Sequence, residues 1–308
     1  MTFGPATPIT VLTVGELMWD ILVEPPGTLE HGERLRRVPG GAAANVARAL
    51  AKHRMSVAVL GVVSSDPLGR ALVGALSRAG IDVSLVSEAD GRMGLVFFDL
   101  IQRERCVAYR PSAVLPSLVA LPAGWLDARH RPTVLHIAAL TADVPSLVAL
   151  TALASEARTR GAWVVVDLNA RPRAFEPSAE KPALPIQALT PLLAVADVVK
   201  GSAGDVGLVE RATGASLEGA VRHAGDAAFI VTRASAPSSA CGPFGSMELP
   251  VAAQIPVRSM GAGDAFAAGL VSVLSSARKS EAPHASLWHR ALAEAHAWAA
   301  RHVTTPVS

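Results

Sequence analysis

A glycine-rich turn near the end of the sequence, Gly261-Ala262-Gly263-Asp264, leads directly into an Ala/Leu-rich segment with the pattern of a helix. The first N–H groups of a helix have no partner inside it and carry partial positive charge, so such a turn can bind an anion. Asp264 would lie beside that anion, where its carboxylate could accept a proton from a hydroxyl that attacks a phosphoryl group. The other interpretation is an ordinary N-capping aspartate after a glycine turn, and the segment alone does not separate the two.

A second glycine turn, at Gly40-Gly41, also leads into a helical pattern, and Asn45 falls one turn inside it. Asparagine is mildly unfavourable within helices, because its amide competes for backbone partners. A side chain directed at a ligand would explain Asn45. A tight packing turn followed by a tolerated asparagine is the alternative.

The rest of the chain supplies elements that could position these two turns. Short β-branched runs alternate with Ala/Leu-rich helical patterns. The apolar runs are continuous, as expected where helices cover both faces of a parallel sheet. We therefore predict a doubly wound, mostly parallel α/β fold in a single domain spanning residues 1–308. The predicted strands are Ile9–Val14, Val57–Val63, Thr133–Ile137, Ala162–Asp167, Asp197–Lys200 and Ala228–Thr232, and the predicted helices are Ala42–Lys52, Leu68–Ala79, Ser146–Arg160, Val206–Ala212 and Ala262–Ser276.

Two stretches interrupt the alternation, at about residues 19–38 and 94–110. Each reads as a pair of strands with no crossover helix between them. Two such insertions could pair into a small separate sheet. We expect that sheet to act as a lid over the main domain.

Composition narrows the class of protein. Of 308 residues, 50% are hydrophobic and 18% are charged, which favours a large packed core over disorder. The net charge of +2 does not indicate a nucleic-acid surface, and no apolar run approaches the length of a membrane span. Cys106 and Cys241 have no metal-ligand or partner spacing, and the first eight residues show no signal-peptide pattern. We expect a cytoplasmic protein.

The motifs in combination resemble a known family. Gly40–Leu50 and Gly261–Leu270 are similar to the two signature segments of the ribokinase-like (PfkB) carbohydrate kinases, and Gly15–Asp20, Gly61–Gly69 and Asp167–Pro172 occur between them in the order typical of that family. The resemblance implies a ribokinase-like doubly wound sheet with a small β-sheet lid. It also implies an enzyme that uses ATP and Mg²⁺ to phosphorylate a sugar.

The resemblance also assigns roles to residues. It implies that Asp264 is the general base and that the amides of Gly261, Ala262 and Gly263 form the anion hole. The residues that would bind the acceptor are Asp20, Gly40, Gly41, Asn45, Tyr109, Arg110 and Arg171. The residues that would bind ATP are Lys200, Ser202, Thr232, Arg233, Gly263 and His296, and Asp205 would reach the metal through water. For His296 an ordinary helix-surface histidine is the alternative.

Three departures from the family pattern affect these roles. Ser202-Ala203-Gly204-Asp205 replaces an Asn-x-x-Glu segment, and the segment Ile230–Ala236 lacks the glycines that relatives usually have after the residue matching Thr232. Arg258-Ser259-Met260 stands where relatives often have Asp-Thr-Thr, the Asp of which helps to bind a monovalent cation. Because Arg258 adds positive charge there, we predict little or no activation by potassium.

The motifs do not single out one molecule as the acceptor of the phosphoryl group. Tyr109-Arg110-Pro111-Ser112-Ala113 resembles a segment of fructokinases and of 2-keto-3-deoxygluconate kinases, and the residues before Asp20 favour the fructokinases. A ketohexose is therefore the first prediction, and a sugar acid or a nucleoside is the alternative. A degenerate protein that binds sugar or nucleotide without turnover is the alternative outside catalysis. The apolar run Leu95–Phe98 would allow a homodimer through the lid, and a monomer fits equally well.

Overall fold

The computed structural model describes residues 9–23, 34–99, 104–109, 131–138, 144–170, 186–251 and 260–305. The strands are β1 Val11–Val14, β2 Met18–Val23, β3 Leu35–Gly40, β4 Val57–Ser64, β5 Asp82–Ala89, β6 Gly94–Asp99, β7 Glu104–Tyr109, β8 Val134–Ile137, β9 Trp163–Asp167, β10 Val198–Ser202, β11 Ala228–Arg233, β12 Ala236–Gly242 and β13 Gly245–Leu249. The helices are α1 Ala42–Lys52, α2 Pro67–Arg78, α3 Val144–Thr159, α4 Ile186–Val195, α5 Ala203–Thr213, α6 Leu217–Ala224, α7 Ala262–Leu274 and α8 Ala285–Thr304. In these ranges no helix is both long and apolar enough to cross a membrane.

The main sheet has nine strands in the order β13-β12-β11-β10-β9-β8-β1-β4-β5. The run from β11 to β5 is parallel, and β12 and β13 add an antiparallel hairpin at one edge. From β1 the chain first adds strands on one side and then returns to β8 on the other. Ligands of doubly wound sheets bind at the carboxyl ends of the strands where this reversal occurs. We therefore expect a ligand site near the carboxyl ends of β1 and β8.

Helices cover both faces of the main sheet, and each face has its own buried cluster. One cluster joins α1, α2, α7 and α8 to the sheet and includes Leu50 and Leu274. The other joins α3, α4, α5 and α6 to the opposite face and includes Leu150 and Leu192. This is the predicted three-layer, mostly parallel α/β architecture, and it is confirmed.

The two inserted stretches form a second sheet of four strands in the order β3-β2-β6-β7, as predicted. Its central pair, β2 and β6, is parallel, while both outer pairs are antiparallel. Trp19 attaches this small sheet to the main body, because its indole Nε1 donates to the carbonyl of Leu68 at 3.0 Å. The guanidinium of Arg37 lies 4.1 Å over the Trp19 ring. The small sheet is thus anchored beside the start of α2.

Several elements were not predicted, and three of them have a weak local pattern. β12 and β13 are half exposed and rich in serine and glycine, which are poor strand formers. α4 contains Pro191, which normally argues against a helix interior. The elements missed were β5, β12, β13, α4, α6 and α8.

Candidate active site

Asp264 and Asn45 meet across the site. Asn45 Nδ2 donates a hydrogen bond of 2.9 Å to Asp264 Oδ2. Asn45 lies in the first turns of α1 and Asp264 in the first turn of α7, and both side chains are half buried. Asparagine is tolerated within α1 because its amide has this specific partner. The two glycine turns recognised in the sequence therefore converge on one place.

The turn at the start of α7 has the geometry of an anion-binding turn. Gly261 has φ +79°, in the left-handed region that glycine adopts without strain. Its carbonyl accepts the first helical hydrogen bond, from the amide of Ala265 at 2.9 Å. Gly263 is exposed, so solutes can approach the backbone at this point. The N-cap residue is Gly261, and Asp264 lies at the third position of the helix. Asp264 is therefore not itself the N-cap residue.

A buried ion pair lies beneath this turn. Lys200 Nζ is 2.9 Å from Asp167 Oδ2 and donates to the carbonyl of Gly263 at 3.3 Å. Burial by itself lowers the pKa of Lys200, but the carboxylates of Asp167, Asp264 and Asp205 more than offset this, and the pKa is raised. Lys200 is thus a permanent positive charge under the first turn of α7. It was predicted to bind ATP, and its side chain is only 5% exposed.

Four of the predicted acceptor residues, namely Asp20, Gly40, Gly41 and Asn45, lie close together in the described structure. Gly40 lies directly against the carboxylate of Asp20, and a Cβ at position 40 would overlap that carboxylate. Gly41 has φ +90°, and a Cβ there would collide with the carbonyl of Glu16. Arg48 donates to the carbonyl of Pro39 at 2.9 Å. Burial lowers the pKa of Arg48, and the negative charge of Asp20 partly offsets that effect. The contacts therefore join a continuous group of four residues, Asp20, Gly40, Gly41 and Asn45. We call this group the acceptor wall.

Asp205 closes a capping box at the start of α5. Its Oδ2 accepts from the Ser202 amide at 2.9 Å and from the Ser202 hydroxyl at 2.6 Å, and the Ser202 hydroxyl accepts from the Asp205 amide at 3.0 Å. Within the described ranges no three His, Cys, Asp or Glu side chains form a metal-binding group. The carboxylate of Asp205 suits a hydrated Mg²⁺ carried by nucleotide phosphates, since Mg²⁺ keeps most of its waters.

The remaining predicted nucleotide residues, Thr232, Arg233 and His296, lie on β11 and α8. The hydroxyl of Thr232 contacts the carbonyl of Gly201 at 3.4 Å, and exposed Arg233 donates to the carbonyl of Pro237. His296 is half buried and pairs with the buried hydroxyl of Ser238 at 2.7 Å. Burial lowers the pKa of His296. His296 is therefore an integrated part of the fold and not a freely exposed surface histidine.

Some predicted residues lie outside what the structure describes. Arg110, Arg171 and Arg258 are in the ranges left out, and for Tyr109 only its place at the end of β7 is given. Their predicted roles, and the predicted absence of potassium activation, stay predictions.

Three residues near the site were not recognised as such in the sequence. Asp167 pairs with Lys200, His136 lies fully buried on β8, and His302 on α8 contacts the carbonyl of Met260. His136 and Asp167 share a signal that could have been used, because each is a polar residue inside an otherwise apolar strand. Neither ring nitrogen of His136 has a hydrogen-bond partner in the described structure, and burial together with the charge of Lys200 lowers its pKa to about 3. His302 has no comparable signal.

Comparisons with known proteins agree with this geometry. A family model described as pfkB family carbohydrate kinase matches residues 9–306. A fructokinase of Salmonella typhimurium is 30% identical over 279 residues, which are 86% of this chain and 84% of that protein. A 5-dehydro-2-deoxygluconokinase of Shouchella clausii is 28% identical over 62% of this chain and 58% of that protein. The crystal structure of a fructokinase with bound ATP from Xylella fastidiosa superimposes with a TM-score of 0.80 at 26% identity, covering 96% of this chain and 92% of the other.

Proposed function

The chain belongs to the pfkB family of carbohydrate kinases, and we propose that it transfers the γ-phosphate of ATP to a primary hydroxyl of a ketohexose such as fructose. As a member of this family it is a phosphotransferase with an alcohol group as acceptor. The choice of ketohexose is supported by fructokinases among its relatives and by the ATP-bound fructokinase with the same fold.

One observation carries the proposal, namely the 2.9 Å hydrogen bond from Asn45 to Asp264. Asn45 belongs to the wall that also contains Asp20, and Asp264 belongs to the turn that can bind an anion. A hydroxyl held by this wall would therefore lie next to both a carboxylate and the first-turn amides of α7. Proton removal and phosphoryl transfer require that arrangement.

Each residue of the site has its own role in the proposed reaction. Asp264 accepts the hydroxyl proton as the oxygen attacks phosphorus, and the amide of Asn45 holds the carboxylate in place. The amides of Gly261, Ala262 and Gly263 stabilise the charge on the transferring group. Lys200 adds a fixed positive charge below them. The small sheet would exclude water, since water in the same site would hydrolyse ATP.

Mg²⁺ supplies charge neutralisation on the phosphates when it is bound. The chain's contribution would come from Asp205, through water. Its Oδ2 is held by Ser202, which fixes the direction in which the carboxylate points.

A sugar acid is the second candidate acceptor. Matches to 5-dehydro-2-deoxygluconokinases favour it, and so does the half-buried guanidinium of Arg48 near Asp20, which adds positive charge close to the acceptor wall. A sugar carboxylate would gain from that charge, whereas a neutral ketohexose would gain only hydrogen bonds.

The test is ADP release from Mg-ATP with fructose, other ketohexoses, 2-keto-3-deoxygluconate, 5-dehydro-2-deoxygluconate and a nucleoside as separate acceptors. We expect the largest kcat/KM with a ketohexose. A preference for either acid would replace the ketohexose by the second candidate. Binding of a sugar with no ADP release from any acceptor would contradict a kinase and support the non-catalytic sensor.

Homodimerisation through the small sheet and a cytoplasmic location stay predictions. Sedimentation velocity with and without a charged substitution at Leu95 would test the dimer.

A further inference from the structure

His302 reaches the anion-binding turn from the last turns of α8. Its Nε2 lies 2.8 Å from the carbonyl oxygen of Met260, the residue before Gly261. A carbonyl only accepts hydrogen bonds, so Nε2 carries a proton and donates it. The turn is thus tied to a helix 42 residues further along the chain.

The bonded carbonyl belongs to the same peptide unit as the first amide of the turn. The peptide between Met260 and Gly261 is planar and trans, so its C=O and its N–H point in opposite directions. Holding the carbonyl of Met260 toward His302 therefore directs the N–H of Gly261 away from His302. The hydrogen bond fixes the direction of an amide without touching it.

This peptide needs such a restraint more than its neighbours do. Glycine populates positive and negative φ almost equally, so a peptide unit next to Gly261 can rotate at little cost. The next unit is already held, because the carbonyl of Gly261 accepts from Ala265. The carbonyl of Gly263 is held by Lys200. His302 provides the corresponding restraint for the unit that precedes Gly261.

The fit of the imidazole also depends on glycine at position 261. A Cβ on Gly261 would lie 2.8 Å from His302 Nε2, closer than real Cβ atoms approach. The side chain of His302 therefore occupies the space that a larger residue would take. A larger residue at position 261 would be strained by the positive φ and would displace the imidazole from this contact.

α8 can hold His302 at a defined position because it packs closely on α7. A Cβ on Gly269 of α7 would lie 2.8 Å from the Cα of Ala295 and 3.0 Å from the indole of Trp298. Such a close approach leaves little freedom for one helix to slide on the other. The imidazole and the turn are therefore positioned by one rigid pair of helices.

We propose that His302 is a positioning residue for catalysis, which orients the Gly261 amide toward the transferring phosphoryl group through the Met260 carbonyl. The proposal rests on the proposed function of the turn. In this proposal His302 acts through the Met260 carbonyl and not directly on a substrate.

The test compares two substitutions of His302 that differ by one methylene. His302→Gln places an amide donor near the position of Nε2, and His302→Asn has the same donor but is too short to reach Met260. We expect His302→Asn to lower kcat about 10-fold, the scale of losing one buried hydrogen bond, and His302→Gln to stay within about 3-fold of the natural enzyme. The KM for the acceptor sugar should change little in both, since the acceptor wall is unaltered.

Controls separate this inference from the function on which it rests. His289→Asn alters an exposed histidine on the same helix and should leave kcat unchanged. Equal losses in the Gln and Asn variants of His302, or full activity in His302→Asn, would overturn the inference. If Asp264→Asn is fully active, the catalytic assignment of the turn fails and the inference fails with it. An inactive Asp264→Asn beside a fully active His302→Asn overturns the inference alone. Sugar-induced thermal stabilisation confirms that each variant is folded.

Discussion

The side-chain amide of Asn45 donates directly to the carboxylate of Asp264, although 219 residues separate them. One residue comes from the turn that we assign to the acceptor and the other from the turn that we assign to the phosphoryl group. The hydrogen bond makes the position of the proposed base depend on the acceptor wall. Changes at either residue should therefore affect turnover.

Replacement of Asp264 by Asn should lower kcat by at least about 100-fold, because the variant has lost the general base while keeping its size. Binding of the acceptor, measured by calorimetry, should survive. Asp226→Asn is a matched control, since Asp226 is exposed and remote from α7 in sequence. Unchanged kcat with weakened binding would identify Asp264 as a ligand for the sugar instead.

Replacement of Asn45 by Asp would place a second carboxylate against Asp264. Like charges at hydrogen-bond distance disfavour ionisation, so the pKa of the base should rise. The acid limb of the kcat–pH profile should move to higher pH, and activity should recover as the pH is raised. Asn45→Leu, which removes the donor without adding charge, should lower kcat at every pH without that recovery. An acid limb at the same pH in all three proteins would contradict the contact between the two residues.

Replacement of Lys200 by Met should leave the buried carboxylate of Asp167 without its partner. Breaking a buried ion pair from one side typically costs about 3–5 kcal/mol, so urea unfolding should show a loss of that order. The double variant Lys200→Met and Asp167→Leu should recover much of the stability, because no buried charge remains. Its kcat should stay low, since the positive charge beneath the α7 turn is still missing. A double variant no more stable than Lys200→Met alone would argue against the pair.

His136 should make the stability of the fold depend on pH. Its pKa is lowered to about 3 in the fold, by burial and by the charge of Lys200. An unfolded histidine titrates near pH 6.5, so between these values the unfolded chain binds the extra proton and stability falls as the pH falls. Between pH 7 and pH 5 this one group should cost about 2 kcal/mol of unfolding free energy.

His136→Gln cannot titrate and should lose that part of the pH dependence. The measurement is urea unfolding of both proteins at pH 7 and pH 5, with exposed His289→Gln as the control that keeps the natural slope. Equal slopes for the natural protein and His136→Gln would show that His136 is not buried in its neutral form.

Local patterns of residue types were sufficient to predict much of the fold. The continuous apolar runs predicted the parallel strands, and the two interruptions predicted the small sheet, because burial on both faces and hairpin pairing leave a direct pattern in residue types. The edge hairpin β12–β13 was missed. Its residues pack mainly on a neighbouring strand, so their own sequence contains little of the information.

The candidate site likewise depends partly on local sequence and partly on tertiary packing. Local sequence was enough to specify the two glycine turns, with Asp264 and Asn45 on them, because positive φ and exposed amides are local demands that only certain residues meet. The tertiary structure alone decided that Asn45 holds Asp264, that Lys200 lies between Asp167 and Gly263, and that His302 reaches Met260. Those contacts join residues far apart in the chain, and their geometry is set by how helices pack on the sheet. No local pattern records that packing.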